Sequence, residues 1–210
     1  MITIKEVTTR KEQKEFVNFP LDLYKNNPYF VPPLYGDELK IFKKNYIYND
    51  TCDSIFFLAY DGEKVVGRIQ GILQRASNAK RIEKRVRFTR FDAINNREVS
   101  SKLFEALENW ALEKGMDTVC GPLGYSDLER EGLLIDGFNE LATFEEQYNY
   151  PYYQSLIESL GYTKEVDWIE SKIYAPDDYD EKLERVSGLM LQKYNLTFAE
   201  FKTTNEVLKK

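Results

Sequence analysis

The chain has 210 residues, 42% hydrophobic and 14% aromatic, an ordered globular composition long enough for one well-buried core. Its formal net charge of −6 speaks against a general binder of nucleic acid or of anionic membranes. Histidine is absent, which excludes a Ser-His-Asp triad, a Cys-His pair and a His-ligated zinc site within this chain.

The first residues, Ile2 to Val7, alternate apolar and polar and predict a half-buried strand, with no apolar core of a secretion signal. Thr8 or Thr9 then caps a helix running to about Tyr24, with Phe16, Val17, Leu21 and Tyr24 on one face. Pro20 is expected to end or kink it. Residues 26–33 are rich in turn formers, and their aromatics are expected to plug into the body. Asp37 to about Asn45 reads as a short second helix.

Ser54–Tyr60 and Lys64–Gln74 flank Asp61-Gly62, a strong hairpin signal. The apolar run Ile55–Tyr60 is too short to cross a bilayer, and a cytoplasmic protein is expected. Gln74–Arg85 is a polar, basic connection whose charge has an ordinary reading as a solvated turn. Val86–Ala93 is the next strand, and on plain alternation Arg90 shares a face with Phe88. Val99–Lys114 is an amphipathic helix with Leu103, Phe104, Leu107, Trp110 and Ala111 on its buried stripe, stopped by Gly115. Thr118–Pro122 is a short buried strand. A long polar excursion leads to a helix that begins at Pro151 and ends before Gly161. Val166–Tyr174 is expected to be a closing strand. Cys52 and Cys120 stand alone, as two buried thiols of a reducing compartment.

Three consecutive strands flanked by helices predict an α/β (α+β) domain, with a mixed sheet built on an antiparallel meander and helices on both faces. This order is similar to that of the GNAT N-acetyltransferases. Asp61–Arg68 resembles the hairpin leading into that family's third strand, and Leu156-Ile-Glu-Ser-Leu-Gly-Tyr162 resembles its Tyr-containing helix. Phe30–Leu34, Gly121-Pro-Leu123, Gly132–Phe138 and Tyr148–Tyr153 resemble an uncharacterised bacterial GNAT-like family over residues 1–175.

The resemblance implies transfer of an acyl group from acetyl- or another acyl-coenzyme A to an amine, on a small molecule or peptide. It implies a carboxylate base, best placed at Asp92, with Asp127, Glu129 and Glu131 as rivals. It also implies a tyrosine that protonates the departing thiolate. The usual Tyr place holds Ile157, so Tyr153, one turn earlier, stands in. Tyr152 and Asn149 lie nearby. The coenzyme would be held at the start of the Val99–Lys114 helix by Asn95, Asn96, Arg97 and Ser100, with Asn149 as a further contact. That loop departs from the family's glycine-bearing pattern, because Asn95, Glu98 and Ser100 occupy its places. Asn95-x-x-Glu98 also reads as a capping box, with Glu98 bringing negative charge where phosphates would sit. An inactive GNAT-like binding or dimerisation module is therefore the alternative.

Residues 176–210 read as a linker helix and the possible start of a truncated second domain. Leu196–Glu206 aligns with Ile2–Glu12 at a constant offset, matching Thr3, Glu6, Thr9 and Glu12 to Thr197, Glu200, Thr203 and Glu206. A homodimer through this tail is an expectation of the same reading. No metal site, membrane partner or nucleic-acid partner is expected.

Overall fold

The structure is a computed structural model that describes residues 1–175 and 180–208. Two compact units divide it, Met1–Trp168 and Ile169–Lys210. The first is built on a five-stranded sheet in the order β1-β2-β3-β4-β5. Its strands are β1 (Ile2–Glu6), β2 (Cys52–Asp61), β3 (Lys64–Gln74), β4 (Arg85–Ala93) and β5 (Thr118–Cys120). Neighbours are antiparallel except β4 and β5, which run parallel. The parallel pair follows from the helix α4 (Arg97–Glu113) that crosses between them.

Alternation on β2 sorts the two cores. Ile55, Phe57 and Ala59 join one cluster with Val99, Leu103, Phe104 and Leu107 of α4. Phe56, Leu58 and Tyr60 face the other way and pack with Phe16 of α1 (Arg10–Leu23). Helices thus cover both faces, as the period-2 pattern requires. Gly67 on β3 lets α4 lie close, since a Cβ there would meet Val99 Cγ1 at 2.8 Å and Leu103 Cδ1 at 2.9 Å. Gly71 performs the same service against Leu107.

Thr9 caps α1 in a full capping box with Glu12, whose carboxyl is held down at about 2 by the N–H groups of Thr9 and Thr8. The helix does not stop at Pro20. It continues to Leu23, and Tyr24 N–H still bonds Pro20 O at 2.9 Å. Proline lacks the N–H that would have bonded Phe16 O, and Arg68 Nη1 takes that carbonyl instead, at 2.8 Å. The expected second helix is broken into α2 (Tyr35–Glu38) and a 3₁₀ turn, Leu39–Phe42. The basic connection after β3 contains a short helix, α3 (Arg75–Arg81).

The helix stripe on α4 is buried as its spacing predicts, and Gly115 follows with φ 74. After Cys120 the chain runs without regular structure to α5 (Tyr152–Glu158). Asn149 pins this excursion: its amide accepts from Leu134 N–H at 2.8 Å and donates to Leu134 O at 3.0 Å. Cys52 and Cys120 are free and buried, and burial raises the pKa of both thiols.

The expected closing strand over Val166–Tyr174 does not form; the segment has no strand pairing, and Trp168, Ile169 and Ile173 are exposed. Alternation defines a face but not a partner edge, and among the described residues nothing pairs with it.

In the second unit, α6 (Glu181–Lys193) is capped by Asp180 and α7 (Thr204–Leu208) begins at the position aligned with the start of α1. Lys202 N–H bonds Glu206 Oε2 at 2.9 Å, as Thr8 N–H bonds Glu12 Oε2 at 3.0 Å. Leu196–Phe201 is not a strand. The start of the linker, residues 176–179, lies outside the described residues. No helix among the described residues is long and apolar enough to cross a membrane, and none of them form a cluster suited to a metal ion.

Candidate active site

The strands β4 and β5 pair over only three residues, Arg85–Arg87 against Thr118–Cys120, and part after Leu123 N–H bonds Phe88 O. From Thr89 onward, the outer edge of β4 is open to whatever α5 and the excursion bring to it. Two tyrosines of α5 fill that edge. Ala93 N–H donates to the Tyr153 hydroxyl at 2.9 Å, and Tyr152 donates to Ala93 O at 2.8 Å.

Asp92 lies beside this point and is buried, as is Tyr153. The link between them is Tyr24 of α1, whose hydroxyl is 2.9 Å from Asp92 Oδ1 and 2.8 Å from the Tyr153 hydroxyl. Tyr24 has one hydroxyl hydrogen and cannot donate to both. An ionised carboxylate only accepts, so the hydrogen of Tyr24 goes to Asp92 and that of Tyr153 goes to Tyr24. A continuous chain results: Ala93 N–H, Tyr153, Tyr24, Asp92. Burial, followed by the charge of Asp92, raises the pKa of both tyrosines well above the ordinary phenol value. Both stay protonated at neutral pH.

The other oxygen of Asp92 accepts from Arg68 Nε at 2.7 Å, in a pair with both side chains about 95% buried (4% and 5% exposed). Arg68 also lies over the Phe16 ring, 4.9 Å from its centroid. A buried pair of this kind needs its remaining donors satisfied, and the carbonyl released by Pro20 serves one of them.

A cavity of about 320 Å³ opens on this side of the sheet, with Arg68, Thr89, Arg90 and Asp92 in its floor and Phe30, Pro33, Phe144 and Tyr148 in its walls. Arg90 does not share a face with Phe88. The register slips between Arg68 and Gln70 of β3, so that Ile69 faces two residues of β4, and Arg90 takes a left-handed φ of 46°. This bulge keeps Phe88 and Phe91 together in the α4 core and turns Arg90 to the cavity. A left-handed arginine stores about 1–3 kcal/mol of backbone strain. It is held by Glu38, which accepts from Nε at 2.9 Å and Nη2 at 3.0 Å, and by Gln70. Burial alone would raise the Glu38 pKa, but Arg90 outweighs it and holds the carboxyl at about 2.

The residues expected from sequence fall into three places. Asp92 and Tyr153 meet through Tyr24. Asn95, Asn96, Arg97 and Ser100 sit at the start of α4, where the cap is Asn96 rather than Asn95: its side chain accepts from Glu98 N–H at 2.8 Å. The capping box with Glu98 does not form. An Asn two residues before an N–H closes the shorter turn, and the Glu98 carboxylate turns to Lys102 at 3.1 Å. Ser100 is buried and donates to its own helix, to Arg97 O, while Arg97 ties α4 to Ser159. Asn149, the third place, is spent on the Leu134 backbone. Among the rival bases, Asp127 is exposed, Glu131 is half-buried, and Glu129 accepts from Tyr125 N–H at the cavity. In the sequence Tyr24 stands only as one aromatic of an apolar stripe, and nothing marks Glu38 for a role. The Tyr24 signal was available: it is a tyrosine on the apolar stripe, where a hydroxyl needs a partner.

No family model matches the chain. It is 28% identical over 167 residues to Protein YghO of Escherichia coli (strain K12), covering 78% of this chain and 42% of that protein. It is 26% identical over 218 residues to bacterial ceramide synthase of Caulobacter vibrioides (strain NA1000 / CB15N), covering 99% of this chain and 56% of that one. The chain spans about half the length of these curated relatives. Among solved structures, glucosamine-6-phosphate N-acetyltransferase from Arabidopsis thaliana superposes with a TM-score of 0.50 at 9% identity, covering 83% of this chain and 99% of that one. The antiparallel meander, the parallel β4–β5 pair that parts beyond Phe88 and this superposition agree: the chain has the GNAT fold.

Proposed function

We propose that the first unit is an acyltransferase domain that moves an acyl group from an acyl thioester, of the acyl-coenzyme A kind, to an amine. The observation that carries this reading is the buried chain from Asp92 through Tyr24 to Tyr153, set where β4 outruns β5 and beside the cavity. In the reaction a C–N bond forms and a C–S bond breaks, and one proton must pass from the amine to the departing thiolate. Asp92 accepts the proton from the amine. The two hydroxyls then reverse their sense, each passing its hydrogen along, and Tyr153 presents a hydrogen towards the thiolate. No proton is gained or lost by the chain itself.

The start of α4 suits the phosphates of such a co-substrate better than the sequence suggests. Lys102 pairs with Glu98 and offsets its charge, and Arg97 adds a cation at the positive end of a helix of 17 residues. The name of one relative, bacterial ceramide synthase, is that of an enzyme whose product is an amide, which supports amine acylation as the reaction class.

A second reading has its own support. Both backbone groups of Ala93 are already taken by Tyr153 and Tyr152, which leaves no strand amide there to polarise a thioester and fits an inactive binding module. Calorimetry with acetyl- and palmitoyl-coenzyme A separates the two. Saturable binding that weakens on Arg97→Glu supports the transferase; no binding of either thioester supports the inert module.

A further inference from the structure

The cavity holds more cationic and hydroxyl donors than the protein itself uses. Arg130 lines it and makes no ion pair among the described residues; its Nε and Nη2 both meet one neutral acceptor, Phe144 O. Arg68 spends Nε on Asp92 and Nη1 on Phe16 O, and its Nη2 has no protein acceptor among the described residues. Thr89 is only 4% exposed, yet its hydroxyl has no partner there either. Among the described residues no fully buried side-chain nitrogen or oxygen lacks a hydrogen bond, so the unpartnered Thr89 hydroxyl is one that the cavity reaches.

The acids around these groups are committed elsewhere. Asp92 serves Arg68 and Tyr24. Glu38 gives both oxygens to Arg90, Asp37 pairs with Lys40, and Glu129 accepts from Tyr125 N–H and Tyr46. Glu145 is exposed at the rim. Burial lowers the Arg130 pKa and the like charges of Arg90 and Arg68 add to that, against Glu38 and Asp92. A guanidinium so placed feels those carboxylates only at a distance and pairs with neither among the described residues.

We propose that Arg130, Arg68 Nη2 and Thr89 form an oxyanion subsite that holds the carboxylate or phosphate group of the small molecule filling this cavity. A forked guanidinium and a hydroxyl are the donors such a group needs. That this molecule is the acyl acceptor, an amine bearing an acidic group, rests on the acyltransferase reading; the subsite itself does not.

The test therefore uses no thioester. The whole chain is titrated with inorganic phosphate and, separately, with succinate. Sodium chloride at equal ionic strength is the control, and calorimetry and melting temperature are the readouts. Saturable binding of either ion is expected, weakened roughly tenfold by Arg130→Gln, with Thr89→Val weakening it less. Binding of phosphate alone, or of succinate alone, names the group. The proposal is overturned if neither ion binds beyond the chloride control, or if both variants bind as the parent does. If Arg130→Gln lowers the ligand-free melting temperature, Thr89→Val decides, since its loss of one cavity-facing hydroxyl leaves every protein hydrogen bond in place.

Discussion

Arg68 shows how one residue couples sequence, packing and site. Pro20 frees a carbonyl inside α1, Arg68 fills it, and the same guanidinium then fixes Asp92 for Tyr24. Replacing Tyr24 by Phe removes the middle of the chain and leaves Asp92 Oδ1 and Tyr153 short of a partner. The expected result is turnover slower by roughly 10²-fold or more, with a stability loss of about 1–3 kcal/mol for the unpaired groups. Rates across pH, measured beside denaturant unfolding, check both; a variant that only loses stability shows that Tyr24 is structural. Glu38 makes a separate prediction. Its folded-state pKa lies at about 2, below its ordinary 4.5. Ionised Glu38 therefore stabilises the fold above about pH 4.5, and that contribution drains away as the pH falls towards 2. The shift corresponds to about 3 kcal/mol. Urea unfolding of the parent and of Glu38→Gln over pH 2–7 measures it: the variant is expected to be weaker at neutral pH and flatter through the acid range. Parallel curves would show that Arg90 finds its counter-charge elsewhere.

At the scale of elements, the part of the fold legible in sequence was the part with strong periodicity. The meander, the α4 stripe and the Gly115 stop follow from local pattern. Leu107 is fully buried against Gly71, so Leu107→Ala is expected to cost about 2–5 kcal/mol in chemical denaturation; a loss below about 1 kcal/mol would mean that α4 does not pack on β3 as described. What the pattern could not show depended on partners distant in the chain. Pro20 is tolerated because Arg68 lies across from Phe16. Arg90 faces the cavity because β4 bulges opposite Ile69. Val166–Tyr174 alternates like a strand but pairs with no strand among the described residues. Of the candidate site, Asp92 and Tyr153 stand out through the resemblance, while their connection through Tyr24 spans 68 and 129 positions of sequence. Asn149, expected as a coenzyme contact, bonds the Leu134 backbone through its amide.

At the scale of the whole molecule, the core and the site both lie within Met1–Trp168. A chain ended after Ala175 is expected to keep a cooperative melt and near-UV signal; failure to fold would show that the second unit belongs to the domain. Within that second unit, the shared helix start and the Glu206 contact that repeats Glu12 support the proposal that Leu196–Glu206 repeats the opening of the domain. The central claim is that the Asp92 chain performs acyl transfer, and amine-dependent thiol release tests it most directly. The protein is mixed with an acyl-coenzyme A and a panel of amines, some bearing carboxylate or phosphate, and free thiol and amide are measured together. The account predicts equal amounts of thiol and amide with at least one amine, and a loss of roughly 10²-fold or more in Asp92→Asn. Amide formation that survives Asp92→Asn unchanged, in a protein that melts like the parent, would contradict it.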